Sequence, residues 1–145
     1  MTKVVYNSCY GGFSLSKEAC KRYWEIKGQS VWIEDDAGFS SLGIFTVWLV
    51  SPEERLELKD SKEFTSMSMD ERIEYNKKYA EQTWTYSGIE RHDPVLVQVV
   101  EELGDKANGK CASLSIEEVF GPYRIDEYDG MESVETPDSY DWVTP

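Results

Sequence analysis

Two short stretches of this sequence carry residues able to handle an anion. The first is Asn7-Ser8-Cys9-Tyr10-Gly11-Gly12-Phe13, between a strand-like run at Lys3 to Asn7 and a helix start after Ser16. Paired glycines open backbone conformations closed to other residues, and successive N–H groups at such a turn, backed by a helix start, can form an anion-binding concavity. The same glycines would equally serve a tight turn that sends Phe13 into the core. The second stretch is Arg91-His92-Asp93-Pro94, where a guanidinium and the only imidazole stand at a helix start beside free backbone donors. Brought together, the two would make a site for a nucleotide: Arg91 pairing with a phosphate, His92 hydrogen-bonding it, Tyr10 or Phe13 stacking on a base. Asn7, Cys9, Tyr10, Gly11, Gly12, Phe13, Arg91 and His92 are therefore the candidate ligand-binding residues. Kept apart, Arg91 and His92 are ordinary surface residues ahead of a helix cap.

Other chemistries find less support. A thiol enzyme could be assembled from Cys9, His92 and Asp93, since nucleophile, base and orienting carboxylate need only meet in space. No cysteine-hydrolase signature surrounds Cys9, however, and a free cysteine is more often a small core residue. A single histidine and no patterned carboxylates give no metal site; Asp126, Glu127 and Asp129 read as the polar faces of a hairpin. The Gly-rich phosphate loop, the dinucleotide fingerprint and the serine-hydrolase elbow are all absent. No catalytic residue and no cofactor are assigned, and the pattern suits binding better than turnover.

The chain has 145 residues, 40% of them hydrophobic, and a net charge of −13. That is enough for one domain with a real core, and the charge opposes a sequence-independent grip on nucleic acid. The acidic excess is concentrated: residues 117 to 145 hold nine acidic side chains and one basic, Arg124. Such a surface either mimics nucleic acid toward a basic partner or is a solvated face. Cys9, Cys20 and Cys111 form no disulfide framework, and there is no signal-like or membrane-length apolar run, which fits a reducing cytosol.

These residues must be positioned by alternating strands and helices. A helix is predicted from Lys17 to Lys27, capped by Ser16 and stopped at Gly28. Strands follow at Ser30 to Ile33 and Leu42 to Val50, the second central, with the turn-rich 34–38 between them. A polar stretch from Ser51 to Thr65 has room for one short helical or edge segment. Ser68 and Glu71 have capping-box spacing ahead of a helix to about Glu81 carrying Ile73, Tyr75 and Tyr79. A short strand at Thr83 to Tyr86 precedes a helix opened by Asp93-Pro94 and closed by Gly104. Strands at Cys111 to Val119, Tyr123 to Tyr128 and Met131 to Val134 complete the chain, the last two joined at Asp129-Gly130. The expectation is α+β: a single domain over residues 1–134, a mixed, mostly antiparallel sheet with about three helices, and the final hairpin beside the first strand. An acidic tail, 135–145, follows, which Tyr140 and Trp142 could pin to the body.

Three segments together resemble a widespread group of small bacteriophage-encoded proteins. They are Asn7-Ser8-Cys9-Tyr10-Gly11-Gly12-Phe13-Ser14-Leu15-Ser16, the run from Arg91 to Gly104 with Ala107 and Gly109, and Tyr123-Arg124-Ile125-Asp126-Glu127-Tyr128-Asp129-Gly130-Met131-Glu132. Residues 29–88 carry no part of the resemblance and read as an enlarged or divergent centre. The resemblance implies a viral origin and action in the cytoplasm of an infected host; it supplies no catalytic residue. Two counter-defence routes are then open: a sponge that sequesters a nucleotide-derived immune signal without turning it over, or an acidic decoy that covers a basic nucleic-acid site on a host protein. A small cysteine/histidine enzyme is the third. The sponge uses the segments that carry the resemblance and is the first expectation, with a homo-oligomer left open and no membrane or direct nucleic-acid contact. It should lose its ligand, and keep its fold, when Arg91 becomes Ala.

Overall fold

The computed structural model describes residues 1–36, 43–139 and 144–145, and it gathers into two compact units, Met1–Gly28 with Tyr86–Pro145, and Gln29–Thr85. In the first unit, strand β1 (Thr2–Asn7) pairs antiparallel with β5 (Leu114–Val119), Val5 opposite Ile116 and Asn7 opposite Leu114. A two-stranded ribbon is marginal alone and needs a helix across it. Helix α4 (Pro94–Leu103) supplies that cover and buries Leu96, Val97, Val99 and Val100. Helix α1 (Lys17–Lys27) packs against α4 with Ala19, Cys20 and Tyr23 buried. Val4, Val5, Leu15, Cys20, Leu96 and Val99 are almost wholly covered and form the core.

The helix ends follow from local chemistry. The Ser16 hydroxyl accepts the Ala19 N–H, and Gly28 closes α1 in the left-handed region at φ 79°. Asp93 does two jobs at the head of α4: Oδ1 accepts the Val95 N–H at 2.8 Å, and Oδ2 accepts the Tyr23 hydroxyl at 2.7 Å, tying α1 to α4. Burial pushes its pKa up, but the Tyr23 hydroxyl and the Val95 and Leu96 N–H groups outweigh it, leaving Asp93 below the usual carboxylate value. A depressed folded pKa means that the stabilisation is complete above the unfolded value, about 3.9, and fades as pH falls through the folded one. Asp93→Asn is therefore expected to flatten the acid-side fall of the urea midpoint, measured from about pH 5 to about pH 2.

The last strands, β6 (Arg124–Tyr128) and β7 (Met131–Glu135), form a hairpin whose turn residues Asp129 and Gly130 have φ 49° and 85°, the positive values that a two-residue turn of this hand requires. It packs beside β1 through β7, as the sequence predicts.

The second unit holds a three-stranded antiparallel sheet in the order β2 (Trp32–Asp35), β3 (Phe45–Trp48), β4 (Thr83–Trp84), and helices α2 (Ser61–Ser66) and α3 (Met69–Gln82). The capping box of Ser68 and Glu71 is formed at the start of α3. Tyr75 and Tyr79, four residues apart on one face, meet the rings of Phe64 and Trp48, whereas Ile73, two positions earlier and on the other side, is exposed. Central β3 buries Val47 and Trp48.

The class is α+β. Among the described residues there are four α-helices, the additional one being the short α2 in the polar stretch, and the strands fall into three antiparallel sheets where one was expected. Segment 29–85 builds a sheet of its own, and the hairpin, beside β1 as expected, meets it through the Glu132 side chain. Strand β7 runs to Glu135, and Pro137–Ser139 form a single 3-10 turn. Tyr140, Trp142, Gly38 and Leu42 lie outside the described residues. Among the described residues no helix is long and apolar enough to cross a membrane.

Candidate functional site

At one end of the first unit, three loops meet: 7–13 after β1, 109–113 before β5, and the hairpin turn 128–131. Asn7, fully buried, holds them together. Its Nδ2 donates to the carbonyls of Cys9 (2.7 Å) and Gly130 (2.8 Å), and its Oδ1 accepts the Ser113 N–H (2.8 Å) and the Cys9 thiol (3.3 Å). Its backbone N–H donates to Glu132 Oε1 at 2.8 Å. Both side-chain donors are thereby used, and the amide oxygen takes the Ser113 N–H while sharing the one Cys9 S–H with the Cys111 carbonyl.

The glycines let these backbones touch. A Cβ at Gly11 would run into the Cys111 carbonyl, and one at Gly130 would stand 2.5 Å from the Tyr10 carbonyl oxygen and 2.7 Å from the Gly12 nitrogen. Gly12 has φ 85° but open space around it. The two glycines of the turn are thus distinguishable by mutation. Gly11→Ala collides with main chain that cannot swing away and should cost about 3 kcal/mol. Gly12→Ala meets only the left-handed penalty, about 1 kcal/mol. Urea unfolding of the two variants checks the order.

Phe13 and Arg91 come together, so the two candidate stretches are neighbours: the guanidinium lies 3.6 Å above the Phe13 ring. Its anion, however, is internal. Arg91 Nη1 and Nη2 bond the two oxygens of Glu132 at 2.6 and 2.8 Å, with the side chains only 17% and 8% exposed. The Arg91 carbonyl also accepts the Val5 N–H at 2.8 Å, which covers the free edge of β1 at that point. A guanidinium fork over an aromatic floor is what a phosphate pocket would offer, and here the Glu132 carboxylate takes the place of the anion.

His92 turns elsewhere. Its Nδ1 meets the Tyr123 hydroxyl at 2.6 Å and its Nε2 stands 3.4 Å from Glu90, in an exposed position. It borders an open groove of about 600 Å³ that runs past Lys3, Pro94, Val97, Gln98 and the Glu101-Glu102 pair. Basic groups beside this groove are already matched, Lys3 to Glu101 at 2.9 Å and Arg22 to Glu102 at 2.8 Å. The thiol set is not assembled: Cys9 bonds the Cys111 carbonyl at 2.8 Å, His92 bonds Tyr123, and Asp93 holds Tyr23 and the α4 cap. Cys20 is buried, its pKa pushed up to about 12 by burial. Among the described residues no cluster of His, Cys, Asp and Glu could hold a metal ion.

The three-loop end turns aromatic, acidic and thiol side chains outward, with Lys110 exposed among them. Tyr10 is 60% and Tyr128 77% exposed; Cys111, Glu127 and Asp129 are exposed as well. Glu132, Cys111 and Gly130 are site residues that the sequence alone does not single out. One signal was present for Glu132. In the hairpin register it faces Glu127, and like charges directly opposite are unfavourable unless one has a partner elsewhere.

No family model, no curated protein and no solved structure matches the chain.

Proposed function

We propose that this protein is a non-catalytic counter-defence protein of a bacteriophage, acting in the host cytoplasm as an acidic decoy for a basic nucleic-acid-binding surface of a host protein. One observation carries the reading: the anion position on Arg91 is taken by Glu132, so what the chain offers a partner is negative charge. Exposed Glu117 and Glu118 on β5 and Asp126, Glu127 and Asp129 on the hairpin supply it, and Tyr10 and Tyr128 provide amphipathic contact area nearby. Charge of this kind steers encounter with a basic protein, while exposed tyrosines are typical anchors of a protein interface. The resemblance to phage proteins supports the viral setting.

The sponge is the second reading. The meeting of Phe13 with Arg91 favours it, but a phosphate would have to displace Glu132 from a largely buried pair and approach a chain of net charge −13.

The decoy is tested by DNA release. A purified Lys/Arg-rich bacterial DNA-binding protein is loaded on a labelled duplex, and fluorescence anisotropy follows the addition of this protein. Release is expected at low salt, weakening as salt rises. The variant carrying Asp126→Asn, Glu127→Gln and Asp129→Asn should need about tenfold more protein. Release that ignores those three substitutions, or no release at low salt, sinks the reading.

A further inference from the structure

We propose that Cys9 and Cys111 form a redox pair, which a low-molecular-weight disulfide such as oxidised glutathione converts to a disulfide stapling the glycine turn to the loop ahead of β5. The pairing rests on the loops alone and stands whether or not the acidic end is a docking surface.

Three observations place the two side chains within reach. The Cys9 sulfur already lies 2.8 Å from the Cys111 carbonyl oxygen, an atom two bonds from the Cys111 Cα, so the thiol reaches the residue it would join. The antiparallel register continues past β1, with the Ser8 N–H on the Ser113 carbonyl at 2.8 Å, so the two loops run side by side where the cysteines sit. Cys111 is held at φ 66°, a left-handed conformation uncommon for a residue with a side chain, in a turn closed by the Ala112 N–H on the Gly109 carbonyl. The Cys111 backbone also occupies the space that a Cβ on Gly11 would need, so the two loops are in direct contact beside Cys9.

The two thiols are unequal, which sets the order of steps. Cys111 is exposed, whereas Cys9 is half-buried with its sulfur turned toward the Cys111 carbonyl and Asn7 Oδ1, so Cys111 is the thiol that a disulfide in solution reaches first. Cys111 as thiolate attacks one sulfur of oxidised glutathione. An S–S bond forms to one glutathionyl unit, and the other leaves as a thiolate that takes up the proton Cys111 gave up. The Cys9 sulfur then attacks the Cys111 sulfur of the mixed disulfide, and the second glutathione leaves carrying the Cys9 proton. Two protein thiols are oxidised and one glutathione disulfide is reduced to two thiols. Cys20, fully buried on the inner face of α1, takes no part.

The test uses the full chain, reduced, treated with oxidised glutathione, blocked with N-ethylmaleimide after unfolding and analysed by intact mass and peptide mapping. The expected product has lost two hydrogens, carries a single maleimide at Cys20, and yields one cross-linked peptide joining Cys9 to Cys111. Cys9→Ser should stop at a stable glutathione adduct on Cys111. Cys111→Ser, a change at an exposed position, should give neither adduct nor cross-link. A persistent Cys111 adduct in the unaltered chain, a cross-link that includes Cys20, or a failure of both loop cysteines to react would overturn the pairing.

Discussion

Arg91→Ala is expected to lower the unfolding free energy by about 3–5 kcal/mol, because it strands the Glu132 carboxylate in a buried site with only the Asn7 N–H for company. The stack on Phe13 is lost as well. Glu132→Gln keeps the shape and one acceptor and should cost less, about 1–3 kcal/mol. Replacing both at once, Arg91→Met with Glu132→Leu, should recover most of the loss, since the penalty of burying two charges disappears together with their attraction. Urea unfolding followed by circular dichroism gives all three values. This outcome separates the two uses of the residue. A ligand contact would leave the fold intact when Arg91 is removed, whereas an internal strut would not.

Asn7→Ala is expected to cost a similar amount, about 3–5 kcal/mol, through a different mechanism. The Ser113 N–H and the carbonyls of Cys9 and Gly130 would be left without their partner in a partly buried site, each costing about 1–3 kcal/mol before relaxation. Asn7→Asp makes the test sharper. It keeps an acceptor for Ser113 but turns a carboxylate oxygen toward two carbonyls that need a donor, so it should rescue little. Amide exchange at Ser113 should speed up with both substitutions, along with a fall in the urea midpoint. Protection unchanged by Asn7→Ala would remove Asn7 as the tie between the three loops.

Local punctuation was legible in the sequence because it depends on neighbours in the chain. Ser16 and Gly28 bound α1, Ser68 with Glu71 opens α3, and Asp93-Pro94 with Gly104 bounds α4, each through hydrogen bonds or backbone angles confined to a few residues. Asp129-Gly130 set the final turn for the same reason. The division into two units was harder to see, although the stretch outside the resemblance, 29–88, nearly coincides with the second one, Gln29–Thr85. The sequence suggests proximity of the glycine turn to Arg91 only in that both precede helices. The fold brings them together by another route, the Phe13 stack and the Val5–Arg91 backbone bond.

The partner of Arg91 escaped because Glu132 is 41 residues away, on a strand whose alternation marks no inward charge. Asn7 was read as a ligand contact for a related reason. A polar residue at the end of a strand can face a ligand or satisfy three distant backbones, and its own neighbours do not distinguish the two. The motif residues Asn7, Gly11, Phe13, Arg91, Gly130 and Glu132 are now seen to contact one another or the same loops. That accounts for their appearing together without requiring a ligand.

Native mass spectrometry, with the protein offered a pool of cyclic dinucleotides, cyclic trinucleotides and ADP-ribose-derived signals in one sample and a Lys/Arg-rich bacterial DNA-binding protein in another, addresses the central claim most directly. With Glu132 seated on Arg91 and the charge turned outward, the nucleotide sample should show only bare protein. The second should show a complex that dissociates as ammonium acetate is raised. A nucleotide retained on the folded protein, with no complex in the second sample, would contradict the account and return the site to Arg91.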